Sequence, residues 1–232
     1  MNRVYAALIA VSVSVSASAI IVDDFEAGPF DEFLSDSYIS LSGLPEGSTI
    51  GGTRAVSAFD TGGTLRVRGT AGTTGNLIAT VTNSAFFDVF WLGSLADGVP
   101  PAGSGTLLPT DFNGFDAPVD LTGLNFFRIG YDTGGSNDFQ INVHAYNPDL
   151  SESVSSQFIP IPTGSGYMFV SFNVFSGGGM YDSIGGVRVS IEALDSGELT
   201  LSEMEIVAVP EPATIFAFGA GLALLILARR RS

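Results

Sequence analysis

From Phe139 to Tyr146 apolar and polar residues alternate without a break: Phe139, Ile141, Val143 and Ala145 fall on one side, and Gln140, Asn142, His144 and Tyr146 on the other. A period of two belongs to a half-buried antiparallel strand, because successive side chains of an extended chain point to opposite faces of a sheet. Val187, Val189 and Ile191 alternate likewise with Arg188, Ser190 and Glu192. Further apolar runs follow the same plan, at Ile20 to Phe25, Ala55 to Phe59, Leu65 to Arg68, Leu77 to Val81, Phe86 to Leu92, Leu124 to Tyr131 and Met168 to Val174. Turn sequences such as Thr61-Gly62-Gly63 separate them, and no segment from Ile20 onward sustains a 3.6-residue period. The expected fold over residues 20–207 is all-β, an antiparallel β-sandwich.

The two ends break this pattern. The C-terminus runs Val209-Pro210-Glu211-Pro212, then an uncharged apolar stretch from Ala213 to Ala228, then Arg229-Arg230-Arg231 and Ser232. As a helix, 213–228 would span about 24 Å, short for a membrane core of about 30 Å. The arginines would remain cytoplasmic and leave everything before Pro210 outside. Pro210 and Pro212 lack amide donors and bias their predecessors to extended geometry, so an exposed strip precedes the helix. Residues 208–232 resemble the PEP-CTERM sorting signal. That resemblance implies export by a Gram-negative bacterium, a transient inner-membrane stage, cleavage near the motif by an exosortase, and a setting rich in exopolysaccharide. An ordinary membrane anchor with a chance Pro-Glu-Pro is the competing reading. At the other end, Arg3, the apolar run from Val4 to Val15 and Ala17-Ser18-Ala19 form a signal-peptide pattern over residues 1–19 for the secretion machinery, with the mature chain starting near Ile20.

About 190 residues remain between the two signals, enough for one domain with a sizeable core. The formal charge of the whole chain is -15, and four of its nine basic residues, all arginines, lie in the end segments. The remainder keeps only Arg54, Arg66, Arg68, Arg128 and Arg188 and has no lysine. Such a surface argues against nucleic acid and anionic membrane as partners, since both require a basic footprint. It suits divalent cations and neutral sugars. With no cysteine there is neither a disulfide nor a thiolate metal site.

Several segments are candidates for something more. Trp91, the one tryptophan, sits in an aromatic-dense run and reads as core. Residues 93–118 hold Pro100-Pro101, Pro109 and several glycines and read as a long loop, either functional or disordered. Asp23-Asp24-Phe25-Glu26, Val119 to Leu124, Ile184-Gly185-Gly186-Val187 and Leu201 to Ile206 together resemble the galactose-binding-like jelly roll of many carbohydrate-binding modules. That resemblance implies a structural calcium between the first and last strands, at the places of Glu26 and Glu203. The alternation of Leu199 and Leu201 puts Glu203 in a core-facing phase while Met204 and Ile206 take the other, so a bulge is expected around Ser202, with the Glu203 carboxylate directed inward. The acidic run Asp23, Asp24, Glu26, Asp31, Glu32, Asp36 is otherwise a solvated edge.

The polar row Gln140, Asn142, His144, Tyr146 offers two amides, an imidazole and a ring, the groups that bind and stack on sugars, or else simply faces solvent. Catalysis has little to work with. Phe59-Asp60-Thr61-Gly62-Gly63 and Tyr131-Asp132-Thr133-Gly134-Gly135 repeat an Asp-Thr-Gly triplet, but lie too close together for a bilobal aspartic protease and read as turns. A Ser-His-Asp triad has only His144 available, and a glycosidase pair of carboxylates is not marked. The expectation is a non-enzymatic exported protein of the surface or extracellular matrix; a carbohydrate-binding module and a secreted hydrolase are the alternatives.

Overall fold

The computed structural model describes residues 19–59, 61–70, 75–135, 138–176 and 180–209. Residues 1–18 of the expected signal peptide 1–19, Asp60 and the stretch from Pro210 onward, including the apolar run and its arginines, lie outside the described residues.

Among the described residues seventeen strands run in chain order: β1 (Ala19–Asp23), β2 (Phe30–Leu34), β3 (Ser37–Ser42), β4 (Thr53–Phe59), β5 (Leu65–Thr70), β6 (Asn76–Val81), β7 (Ala85–Trp91), β8 (Ala102–Ser104), β9 (Val119–Asp120), β10 (Phe126–Asp132), β11 (Phe139–Tyr146), β12 (Ser153–Ser155), β13 (Ile159–Pro160), β14 (Ser165–Ser171), β15 (Ser183–Ile184), β16 (Gly186–Ala193) and β17 (Gly197–Val207). One sheet has the order β14-β10-β17-β6-β5-β2, with β1 also on β17. The other has the order β12-β11-β16-β7-β4-β3-β8, with β13 also on β11. The chain crosses repeatedly from one to the other, so each sheet is assembled from strands distant in sequence, as a jelly-roll-like sandwich requires. Between the sheets lies one core, in which Val67, Leu77, Phe127, Ile129 and Leu199 meet Phe87, Val89, Ile141, Val143 and Ile191. Every odd residue from Phe139 to Ala145 is buried in it, which the period-two alternation demands.

β17 is the spine of its sheet. One edge pairs with β10 along almost its whole length, while the other is shared end to end, residues 197–201 with β6 and residues 204–207 with β1. Gly130 faces Glu203 and Tyr131 faces Leu201, leaving Ser202 as the extra residue of a bulge. The bulge falls where the alternation puts it, but its effect on Glu203 is the reverse of the expectation. The added residue turns Glu203 off the core and onto the outer face beside Arg128, and Met204 and Ile206 take the buried phase.

Asp23 closes β1 onto the opposite sheet. Fully buried, it accepts from Arg54 Nε at 2.5 Å and Nη2 at 2.6 Å, from Trp91 Nε1 at 2.7 Å and from its own turn at Phe25 N, 2.7 Å. Arg54 is as buried as its partner; it also donates to Ala27 O and lies 4.9 Å over the Phe25 ring. The acidic run is thus divided: Asp23 is a core anchor, and Asp31, on the exposed edge strand β2, pairs with Arg66. That pairing holds the Asp31 carboxyl below its ordinary range.

Residues 93–118 form an ordered flap. It is pinned at its base by a bridge between Gly93 and Gly114 and along its length by β8 on β3. Leu107 and Phe112 are buried, Phe112 stacked on Phe90 at 5.4 Å, so the flap covers part of the outer face of the β7 sheet.

Candidate functional site

The row Gln140, Asn142, His144, Tyr146 lies on that outer face, and its side chains are turned largely to neighbouring strands and segments. Gln140 Nε2 donates to Glu192 Oε2 at 2.6 Å, and Asn142 Oδ1 accepts from Ser156 Oγ at 3.4 Å. Tyr146 corrects the expectation of an outward ring. It is 4% exposed, a member of the apolar cluster of Tyr38, Phe90, Leu107 and Phe112, because the flap brings its own hydrophobic residues onto this face. Burial pushes its hydroxyl up to about 12.

His144 faces a cation. Arg188 Nη2 stands 3.0 and 3.1 Å from the two ring nitrogens, and Ser190 Oγ is 3.3 Å from Nε2. Burial and then this guanidinium hold the imidazole down at about 3. Arg188 in turn approaches Asp88, whose carboxyl is raised by burial and whose Oδ1 has no hydrogen-bond donor. A serine, a histidine and an aspartate therefore meet here, but in the wrong order for nucleophilic catalysis. The group orienting the histidine is Arg188 rather than a carboxylate, and Ser190 is buried. Of the two Asp-Thr-Gly repeats, Asp132 accepts from Gly134 N at 2.9 Å and is followed by two glycines with positive φ, a turn closing β10. Its counterpart Asp60 is outside the described residues.

Glu26 and Glu203, 177 residues apart in number, do come together. They line one cavity of about 300 Å³ at the fork where β1 and β6 part along β17, together with Asp24, Asn76, Ser202 and Tyr167. Sequence reasoning missed Tyr167. Its signal is an aromatic at every second position of β14, Tyr167 and Phe169, on the face opposite buried Met168 and Val170. Tyr167 is 54% exposed and its hydroxyl donates to Glu203 Oε2 at 3.2 Å. The negative charge of Glu203 and that hydrogen bond raise the phenol above its ordinary value. Arg128 lies 4.9 Å over the same ring and pairs with Glu203 Oε1 at 3.2 Å and with Glu205 Oε2. Burial, with Glu203 beside it, raises the carboxyl of Glu205.

This arrangement does not fit the calcium that the jelly-roll resemblance implies. Both oxygens of Glu203 are engaged, by a guanidinium and a phenol, and among the described residues no three acidic or histidine side chains converge as metal ligands. A hard cation needs six or more oxygens around one point, whereas these carboxylates are spread around a wall.

Among the described residues no helix is long and apolar enough to cross a membrane. No curated protein matches this chain. Among solved structures it is similar to a family 11 carbohydrate-binding module of the cellulosomal cellulase Lic26A-Cel5E of Clostridium thermocellum, at 10% identity and a TM-score of 0.41 over 83% of this chain and 95% of that one. It is similar also to a family 29 carbohydrate binding module, at 8% and 0.34 over 86% and 97% of the two chains. A third is TmCBM61, solved with β-1,4-galactotriose, at 8% and 0.35 over 66% and 86%. Likeness at this level says nothing of what this chain binds. Residues 208–231 match the PEP-CTERM protein-sorting motif, so the chain carries a sorting signal directly behind its last strand.

Proposed function

We propose that this chain is a non-catalytic protein of a Gram-negative cell surface or extracellular matrix, delivered by an exosortase and associated there with exopolysaccharide. The sorting motif at 208–231 carries the reading. Its expected course begins with removal of residues 1–19 and a transient stage in the inner membrane, with 213–228 across the bilayer and Arg229, Arg230 and Arg231 in the cytoplasm. The exosortase then acts near Pro210, Glu211 and Pro212.

Two features of the fold support this course. β17 ends at Val207, and Asn125 clamps the departing backbone, its Nδ2 donating to Val209 O at 2.9 Å and its Oδ1 accepting from Val209 N at 2.8 Å. The recognition strip thus starts within three residues of a finished sandwich. A non-catalytic role agrees with the chemistry of the polar clusters: the histidine is depressed and faces a cation, and Asp132 is spent on a turn.

The test is the intact mass of the form recovered outside the cell. It should lack residues 1–19 and the Arg229 to Arg231 tail. Recovery of that tail in the external form overturns the sorting reading in favour of a plain anchor.

A further inference from the structure

The cavity at the β1–β6 fork has features that neither a structural core nor a cation site explains. Tyr167 is exposed on the edge strand β14, yet it is held in place: its hydroxyl is tied to Glu203 and its ring lies against Arg128. Gly130, opposite it on β10, keeps the approach open, since a Cβ there would stand 3.2 Å from Tyr167 Cε1 and 2.5 Å from Ser202 Oγ. On the far wall Gly75 packs directly against the Phe25 carbonyl, where a Cβ would stand 2.1 Å from the oxygen, so the loop after β1 and the start of β6 lie in close contact. A rigid aromatic wall faces a rim of hydrogen-bonding groups across a polar hollow.

We propose that this cavity binds one neutral pyranose unit of a glycan. The ring of Tyr167 offers an apolar face for the C–H side of the sugar. Asp24 and Glu26 are acceptors for hydroxyls, a carboxylate taking two neighbouring hydroxyls at once, while Asn76 supplies both a donor and an acceptor and Ser202 a hydroxyl. At about 300 Å³ the hollow lies at the small end of ligand pockets (~300–1,000 Å³), which suits a single ring rather than a buried chain. The charge selects against acidic sugars. Among the described residues only one of the three carboxylates on the wall, Glu203, is paired to an arginine, so a uronate would bring a like charge into a polar pocket already negative.

Phe169 extends the same outer face one sheet repeat along β14, edge-on to Phe126 at 6.2 Å, and would lie beneath the next unit of the glycan. The inference rests on the surface-glycan setting proposed above and names the site and ligand class within it.

The experiment is calorimetric titration of the externally recovered protein with neutral hexasaccharides (β-1,4-glucan, α-1,4-glucan, β-1,4-mannan, β-1,4-galactan), with oligogalacturonate and with calcium chloride. At least one neutral oligosaccharide should bind and oligogalacturonate should not. Tyr167→Ala should weaken binding by about tenfold or more, the scale of one lost stacking contact. Tyr167→Phe, which keeps the ring, should stay within about threefold. Glu152→Gln, exposed between β11 and β12 of the other sheet, should bind as the wild type does, and thermal melting should confirm that all variants fold. Wild-type affinity in Tyr167→Ala, binding of oligogalacturonate as tight as any neutral glycan, no neutral glycan bound, or calcium bound in a Glu203-dependent way each overturns the proposal. None of these touches the processing result, whose own failure would show in the mass of the external form.

Discussion

Arg54 and Asp23 exemplify what a buried charge pair does in an otherwise apolar core. Both side chains are fully buried, and the pair survives because Arg54 Nε and Nη2 and the Trp91 indole all point at the one carboxylate. Such a pair adds little net stability compared with apolar residues of the same volume, but removing one member leaves an uncompensated charge. Arg54→Leu is therefore expected to lose about 3–5 kcal/mol, measured by urea unfolding followed through the fluorescence of Trp91, which is itself bonded to Asp23; a loss under about 1 kcal/mol would contradict the anchor role. His144 gives a pH signature. Its folded value near 3 lies below the unfolded one of about 6.5. Between those values the unfolded chain takes up a proton that the folded chain refuses, so this residue lowers stability as pH falls from 6.5 toward 3 and contributes nothing above. Asp88, raised by burial, acts in the opposite sense, favouring the fold in acid and losing that contribution as pH rises past its unfolded value. His144→Gln should thus flatten the acid side of the stability profile, by on the order of 2 kcal/mol between pH 7 and pH 4. Parallel profiles for the two proteins would show that neither burial nor Arg188 opposes the imidazolium.

Strands with one wet face announced themselves, and elements that depend on a partner did not. β11 and β16 are readable because apolar and polar residues alternate without a break from Phe139 to Tyr146 and from Val187 to Glu192. The flap is not, since Leu107 and Phe112 follow no period and acquire meaning only when Phe90 and Tyr146 are found beneath them. Tyr146 was misassigned for the same reason: alternation gives the face of a sheet, but not what else covers that face. In β17 the bulge at Ser202 could be placed from a phase break, and it lets both sides keep the core phase, Leu199 and Leu201 before it and Met204 and Ile206 after it, which leaves Glu203 on the outer face. The cavity was half legible. The pairing of Glu26 with Glu203 followed from the resemblance, while Tyr167 and Asn76 arrive from strands far off in sequence. The flap also makes a prediction at its hinge. Gly93 has φ +79°, and a Cβ there would stand 1.7 Å from Gly114 O. Gly93→Ala should release the flap, raising the rate of proteolytic cleavage within residues 94–112 by roughly tenfold or more, while the sheets persist by circular dichroism. An unchanged cleavage pattern would mean that the flap is held by its apolar contacts alone.

At the scale of the whole molecule, the last strand made is the one around which the first sheet is built. β17 pairs with β10, β6 and β1, so until Gly197 to Val207 is in place those three strands have no common partner and the core lacks one wall. Leu199, Leu201, Met204 and Ile206 are all buried on it. At about 1.5–3 kcal/mol for each such side chain, their loss is comparable with the entire net stability of a domain, about 5–15 kcal/mol. The sorting motif begins at residue 208, immediately after this strand. In an exported chain the sandwich accordingly closes only when the segment leading into the sorting signal has emerged, and the exosortase meets a substrate whose recognition strip leaves a folded body at the Asn125 clamp. A chain of residues 20–209 is expected to fold and to unfold in one cooperative transition, since all strand partners of β17 are retained. A chain ending at residue 196 keeps most of the sequence of the sandwich, but is expected to show no cooperative transition and to be degraded when exported. Urea denaturation of both, followed by Trp91 fluorescence and circular dichroism, decides it: a cooperative transition in the shorter chain would show that the sheet can close without its spine, and that folding need not wait for the C-terminus.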